Sequence, residues 1–228
     1  MRYRTILFDA DNTLMDFSRS EHDALCDCLA ARGLPHDETA IARYSAINDR
    51  YWKMLERGEV TREVLKIQRF ADFISEYGFD CDPATLAADY MRTLSTKSYL
   101  MDGAEALCRR LVGSCRLYLI TNGNAFVQHG RFDPSPLAPL FHACFISECF
   151  DCEKPDPAYF ELVAASIPAF RPEETLVVGD SLSSDIKGGM NAGLDTCWFN
   201  PRGKVCPPDM TPTYTCTTLA EVGDVICG

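Results

Sequence analysis

The sequence predicts an α/β fold in which a parallel sheet carries a block of helices inserted after its first strand. Three observations point there. Five short apolar runs, rich in β-branched and aromatic residues, stop at polar or glycine positions as buried strands do. Helical stretches alternate with the later runs, the order that gives parallel strands. About eighty residues between the first two runs carry helical periodicity and no strand signal, a length too great for a loop.

The strands are expected at Thr5 to Phe8, Leu117 to Thr121, Ala143 to Ser147, Leu176 to Val178 and Thr196 to Phe199. Helices are expected at Ala104 to Val112, with Asp102 available as a cap, and at Pro157 to Ser166, where Asp156 is the N-cap and Pro157 the first helical residue. A third, Asp185 to Ala192, closes at Gly193. In the long segment, apolar residues recur at helical spacing: Leu25, Cys28, Leu29; Ile41, Tyr44, Ile47, Tyr51, Leu55; Val64, Ile67, Ala71, Ile74; and Leu86, Tyr90, Leu94. Gly33, Gly58 and Gly78 sit where helices end, and Asp82-Pro83 where the last begins. Residues 16–98 are therefore expected to form a helical module, and residues 1–15 with 99–228 the sheet-bearing core.

Composition narrows the function. The 228 residues carry 22 Lys and Arg against 33 Asp and Glu, a formal charge of −11 that repels a phosphate backbone, and no basic run overrides it. Nucleic acid is not an expected partner, and a phosphate-bearing substrate must be small and locally neutralised. No apolar run approaches the ~20 residues that span a bilayer. Met1-Arg2-Tyr3-Arg4 leads straight into a strand-like run, so a cytoplasmic protein without a membrane partner is expected. In that setting the 12 cysteines read as mostly reduced, buried thiols. Cys149 and Cys152 have metal-ligand spacing, but no second CxxC or paired His motif completes a zinc site.

Ligands of open parallel sheets bind outside the carboxyl ends of the strands. Here those ends carry Asp9-Ala10-Asp11-Asn12-Thr13, Thr121-Asn122-Gly123, Lys154-Pro155 after the third strand, and Gly179-Asp180-Ser181 with Asp185 beyond. Each alone has an ordinary reading as turn, cap or solvated lysine. Together, in this order and each at a strand end, they form a reactive set. Four carboxylates against one lysine require a cation. Carboxylate oxygens without a nearby His or Cys set suit a hard ion such as Mg²⁺, which also makes room for a phosphate.

This ordered set resembles the haloacid dehalogenase superfamily of hydrolases, and the similarity runs over nearly the whole chain. The resemblance implies a Rossmann-like core, with the inserted helices acting as a cap that lies over the site and selects substrate. It makes Asp9 the nucleophile that forms an aspartyl-phosphate, and Asp11 the acid for the leaving alkoxide and then the base for water. Thr121 and the backbone N–H of Asn122 would hold phosphoryl oxygens, and Lys154 would neutralise Asp9 and the phosphoryl group. Asp9, Asp180 and the Asp11 carbonyl would hold Mg²⁺, with Asp185 orienting a metal-bound water or Lys154 from outside. The dehalogenase branch generally lacks an acid at the Asp11 position, so phosphate-ester hydrolysis is expected.

The segment from Ile47 to Thr61, with Arg69-Phe70 beyond, is similar to the cap of the cytosolic 5′-nucleotidases of this superfamily. Asp11-Asn12-Thr13-Leu14, Thr121-Asn122-Gly123 and Gln128 strengthen that similarity. It implies nucleoside monophosphates as substrates, pyrimidine nucleotides such as UMP, dUMP and dTMP prominent among them. Trp52, Tyr51, Phe70 and Asn48 are the candidates for stacking on the base and reading its edge, although aromatics at helical spacing ordinarily fill a core. A sugar-phosphate or phosphoglycolate phosphatase shares the same core motifs. A non-catalytic binding module would lack a catalytic group, and none is missing. Two departures from the family pattern stand out: Asp151 in place of a glycine before Lys154, and the proline-rich Gly130 to Pro139, atypical of the helix expected after Thr121.

Overall fold

The computed structural model describes residues 2–150 and 152–228; the departure at Asp151 lies outside them. Strands β1 (Thr5–Asp9), β2 (Arg116–Thr121), β3 (Ala143–Ile146), β4 (Thr175–Gly179) and β5 (Asp195–Phe199) form where the apolar runs lie. A sixth, β6 (Tyr214–Cys216), was not expected, because three residues without apolar alternation give no strand signal. All neighbours pair in parallel in the order β3-β2-β1-β4-β5-β6. The chain leaves β1 in one direction and returns to β4 on its other side, so the order reverses between them and a crevice opens at their carboxyl ends.

Alternate residues of the central strands face opposite layers. Ile6, Phe8, Leu117, Leu119, Leu176 and Val178 pack with α5 (Ala104–Leu111) and α9 (Leu219–Cys227). Leu7, Tyr118, Ile120 and Val177 pack with α7 (Pro157–Ser166). Both faces are thus covered, as parallel sheets require. Asp156 caps α7 as expected, its side chain accepting from Ala158 N at 2.9 Å. Asp102 does not cap α5: Gly103 takes that position at φ 83°, with no side-chain bond. The helix expected from Asp185 starts instead as a π turn, Leu182–Ile186, that continues into α8 (Lys187–Asn191).

The insert forms α1 (Phe17–Ala30), α2 (Glu38–Glu56), α3 (Arg62–Tyr77) and α4 (Pro83–Leu94), with side-chain caps from Asp16, Asp37, Thr61 and Asp82. They enclose a core of their own, in which Tyr44, Phe70, Phe73 and Tyr90 pack ring against ring. The inward face of α3 differs from expectation. Val64 and Ile67 are 44% and 39% exposed, and Leu65, Arg69, Phe70, Phe73 and Ile74 point inward. The helix turns Phe70 and Phe73 to the core and leaves Val64 and Ile67 outside, while Ile74 faces inward as expected.

The helix after β2 also forms. Asn124 caps α6 (Ala125–Phe132), and the prolines at 134 and 136 fall beyond its end, so the atypical segment terminates the helix without replacing it. Among the described residues no disulfide joins the cysteines, and Cys28, Cys108, Cys115, Cys197 and Cys216 are buried, fewer than expected. Among the described residues no helix is long and apolar enough to cross a membrane.

Candidate active site

Asp9 is the last residue of β1 and is buried. The chain then turns sharply, with Asn12 in the left-handed region at φ 62° and its side chain accepting from the N–H and hydroxyl of Ser18. Thr13 Oγ1 donates to Asp9 Oδ2 at 3.0 Å. Lys154, 1% exposed, donates from Nζ to Asp9 Oδ1 and Asp185 Oδ1, each at 2.7 Å, and to the Ile120 carbonyl at 3.1 Å. Its backbone is pinned by a reciprocal pair: Asn122 Nδ2 donates to the Lys154 carbonyl, and Lys154 N to Asn122 Oδ1.

Asp185 Oδ2 accepts from Ser181 N at 3.0 Å, which folds the carboxylate back over the end of β4. A Cβ on Gly179 would lie 2.2 Å from Asp185 Oδ2 and 2.5 Å from its Cβ, so only glycine admits this approach. Trp198 Nε1 donates to the Asp180 carbonyl, fixing the turn that presents Asp180. Oxygens of Asp9, Asp180 and Asp185 lie within 4.8 Å of one another.

One lysine does not neutralise three such carboxylates. Burial and then Asp185 push the Asp9 carboxyl well up, with Lys154 working against them. Burial and Asp185 likewise push Asp180 up to about 7. Burial also disfavours the Lys154 ammonium, but Asp185 and Asp9 outweigh it and hold the group above its ordinary range. The cluster is an oxygen-donor site that a hard cation relieves.

Asp11 lies on the same cleft wall and is held by other partners. Its Oδ1 accepts from Arg131 Nη1 at 2.5 Å and its Oδ2 from Gln128 Nε2 at 2.6 Å. Gln128 Nε2 also donates to Thr121 Oγ1 at 2.9 Å, and Gly123 N donates to the same hydroxyl at 3.1 Å. Arg131, fully buried, is a second cation that sequence reasoning missed. It lies on α6 within the segment read as atypical, and only its place one turn after Gln128 on the same helix hinted at a shared face.

The insert closes the cleft from above. Trp52, Glu56, Arg62, Lys66 and Arg69 share its wall with Asp9, Asp11, Thr121, Asn122, Lys154 and Asp180. Arg62 bridges to the core, donating to the Asn122 carbonyl at 3.1 Å, to Ser147 Oγ at 2.6 Å and to Glu153. Lys66 pairs with Glu148, whose carboxylate also accepts from the Asn124 side chain and Ala125 N at the start of α6. Burial pushes the Glu56 carboxyl up, and Ser183 works against it. Trp52 lies on the cleft wall. Asn48, Tyr51 and Phe70 are not on that wall. Asn48 is buried between Glu21 and Arg69, Tyr51 donates to Asp72 at 2.9 Å, and Phe70 fills the core of the insert.

The family model for haloacid dehalogenase-like hydrolases matches residues 3–193. The chain belongs to this family. It is 40% identical over 225 residues to the HAD-hydrolase YfnB of Bacillus subtilis, covering 99% of this chain and 96% of that one. The crystal structure of YfnB bound to magnesium superposes with a TM-score of 0.94 over 99% of each chain. Pyrimidine 5′-nucleotidase PynA of Streptococcus pneumoniae is 35% identical over 227 residues, covering 99% of this chain and 96% of that one. L-2-haloacid dehalogenase from Xanthobacter autotrophicus shares the fold, with a TM-score of 0.78 at 18% identity over 99% of each chain.

Proposed function

We propose that this hydrolase cleaves phosphate monoesters with Mg²⁺ through an aspartyl-phosphate on Asp9, and that its substrates are nucleoside 5′-monophosphates, pyrimidine ones foremost. The observation that carries the reading is Asp11, two residues beyond Asp9 and held by Arg131 and Gln128 on the cleft wall. A carbon–halogen bond needs no proton donor for its leaving group; an alkoxide does. The 35% identity to a pyrimidine 5′-nucleotidase supports the nucleotide part.

The residues fit the metal: three carboxylates offer oxygens within 4.8 Å, with no His or Cys among them. Asp9, Asp180 and the Asp11 carbonyl would hold it. Bound there, Mg²⁺ neutralises charge on the nucleophile and on the phosphoryl oxygens. Asp9 attacks phosphorus and the ester oxygen leaves with a proton from Asp11. Asp11 then takes a proton from water as it attacks the acyl phosphate, releasing phosphate and regenerating the Asp9 carboxylate. Thr121, whose hydroxyl is oriented by Gly123 N and Gln128, and the Asn122 N–H hold phosphoryl oxygens. Lys154 keeps Asp9 aimed and offsets charge as it develops, and Asp185 holds Lys154 in place.

The test is phosphate release from UMP, dUMP, dTMP, AMP, phosphoglycolate and hexose phosphates, in Mg²⁺ and in EDTA. Release that needs Mg²⁺ and favours pyrimidine monophosphates about tenfold or more, roughly 1.4 kcal/mol of transition-state discrimination, is the expected result. Preference for phosphoglycolate or a sugar phosphate would keep the chemistry and reject the nucleotide. Equal rates with and without EDTA would reject the metal.

A further inference from the structure

We propose that Arg69 reads the base, donating an N–H to a carbonyl oxygen on the rim of the pyrimidine ring, and that Asn48 and Glu21 position it for that purpose. The inference rests on the nucleotidase reading and adds the residue and the substrate atom.

Arg69 is a buried guanidinium, 4% exposed, on the wall of the cleft that holds Asp9. Its donors are poorly used. Among the described residues, Nη1 donates to Asn48 Oδ1 at 2.5 Å, Nη2 reaches only the Met91 thioether sulfur at 3.8 Å, and Nε is buried with no partner. A guanidinium has five N–H groups in a fixed fork, and a buried one left short of acceptors is costly unless a ligand completes it. The group is also held still. Its carbon sits 5.0 Å from the Phe70 ring centroid and 5.6 Å from that of Tyr90, and its Asn48 partner is itself fixed. Asn48 Nδ2 donates to Glu21 Oε1 at 2.8 Å, and Ser45 Oγ donates to Glu21 Oε2 at 2.5 Å. This chain spans three helices of the insert and ends at the cleft.

Two features select the ligand. Glu21 already lies beside Arg69 through Asn48, its carboxyl pushed up to about 7 by burial with Arg69 working against the rise, so a further anion would meet an acidic group and the open donors suit a neutral acceptor. The same cleft has an apolar part, to which Phe17, Leu65, Met91, Leu94 and Val127 contribute along with Trp52. A flat ring bearing a carbonyl oxygen satisfies both, and a pyrimidine base is such a ring. A hexose phosphate or phosphoglycolate would bring hydroxyls or a carboxylate to an apolar wall.

The experiment measures kcat/KM for UMP and for a ribose 5-phosphate carrying a benzene ring in place of uracil, in the native enzyme and in Arg69→Met, Arg69→Lys and Asn48→Leu. The native enzyme should prefer UMP at least tenfold. Each variant should reduce that preference below threefold, and Arg69→Met with Asn48→Leu combined should reduce it no further than Arg69→Met alone. Arg69→Lys keeps the charge and the bulk of the chain, so it reports on the lost fork even where Arg69→Met folds poorly. A preference that survives in Arg69→Lys and Asn48→Leu, or variants that slow both substrates equally, would overturn the assignment while leaving the nucleotidase reading intact. A native enzyme that turns over no nucleoside monophosphate would reject both.

Discussion

Replacing Asp9 with Asn should abolish turnover, with a fall in kcat on the order of 10⁴-fold or more, while the protein remains folded and becomes more stable in EDTA. The loss follows from the role of a nucleophile, for which an amide oxygen is no substitute. The stability gain follows from the electrostatics: Asp9 is buried beside Asp180 and Asp185, and a neutral side chain of the same shape removes one of three crowded negative charges. Asn retains an oxygen to accept from Thr13 or Lys154, so packing is preserved. Steady-state phosphate release and chemical denaturation of the two proteins check both halves. Retained turnover would remove Asp9 from the nucleophilic role, and a loss of several kcal/mol of stability would contradict the view of the cluster as overcharged.

Lys154→Met should be damaging in both respects. The ammonium is the cation shared by Asp9 and Asp185 at 2.7 Å each, and withdrawing one partner of a buried ion pair costs about 3–5 kcal/mol. Activity should fall a further 10²–10³-fold, roughly the effect of removing one preorganised electrostatic group. The double variant Lys154→Met with Asp185→Asn separates the two. It removes the carboxylate that the lysine held in place, so part of the stability should return while activity stays lost. Melting temperatures in EDTA and kcat in Mg²⁺ report the two effects independently. Recovery of activity in the double variant would mean that Lys154 serves only to offset Asp185.

The parts of this molecule that follow from local pattern were legible in the sequence. Buried parallel strands read as short apolar runs, and four turns at their carboxyl ends carry the polar residues because a sheet covered on both faces leaves them nowhere else to face. Arg131 was not legible. A lone arginine on a short helix reads as surface, and only the fold brings it to Asp11, 120 residues away. Asn48 illustrates the converse. Its place in the nucleotidase-like segment made it a candidate to read the edge of a base, but two other polar groups, Glu21 and Arg69, come from different helices to meet it, and it is consumed within the insert. The inward face of α3 was misread because Val64 and Ile67 are as apolar as Leu65 and Phe70, so periodicity alone does not choose between the two stripes. β6 was missed because a three-residue edge strand has too few residues to show a period.

The site divides along the same line. Asp9, Lys154, Asp180 and Asp185 meet as their motifs imply, whereas the partners that orient Asp11 and the arginine that closes the cleft from the insert depend on tertiary contacts. Arg62 and Lys66 cross from α3 to the core at Asn122, Ser147, Glu148 and Glu153. Exposed pairs contribute little, but the Arg62–Glu153 pair is partly buried, and Glu148, the partner of Lys66, also accepts from the start of α6.

The most direct measurement uses Asp11→Asn, which keeps the nucleophile but removes both the acid for an alkoxide and the base for water, with p-nitrophenyl phosphate as substrate, because its phenolate leaves without a proton. The variant, mixed with this ester in Mg²⁺ and quenched in acid, is digested and its peptides are weighed by mass spectrometry. Phosphate mass on the peptide containing Asp9, absent from Asp9→Asn treated in the same way, is the predicted result. Release of one equivalent of nitrophenolate by Asp11→Asn with no phosphorylated peptide at any quench time, or a phosphoryl group found elsewhere in the chain, would contradict transfer through Asp9.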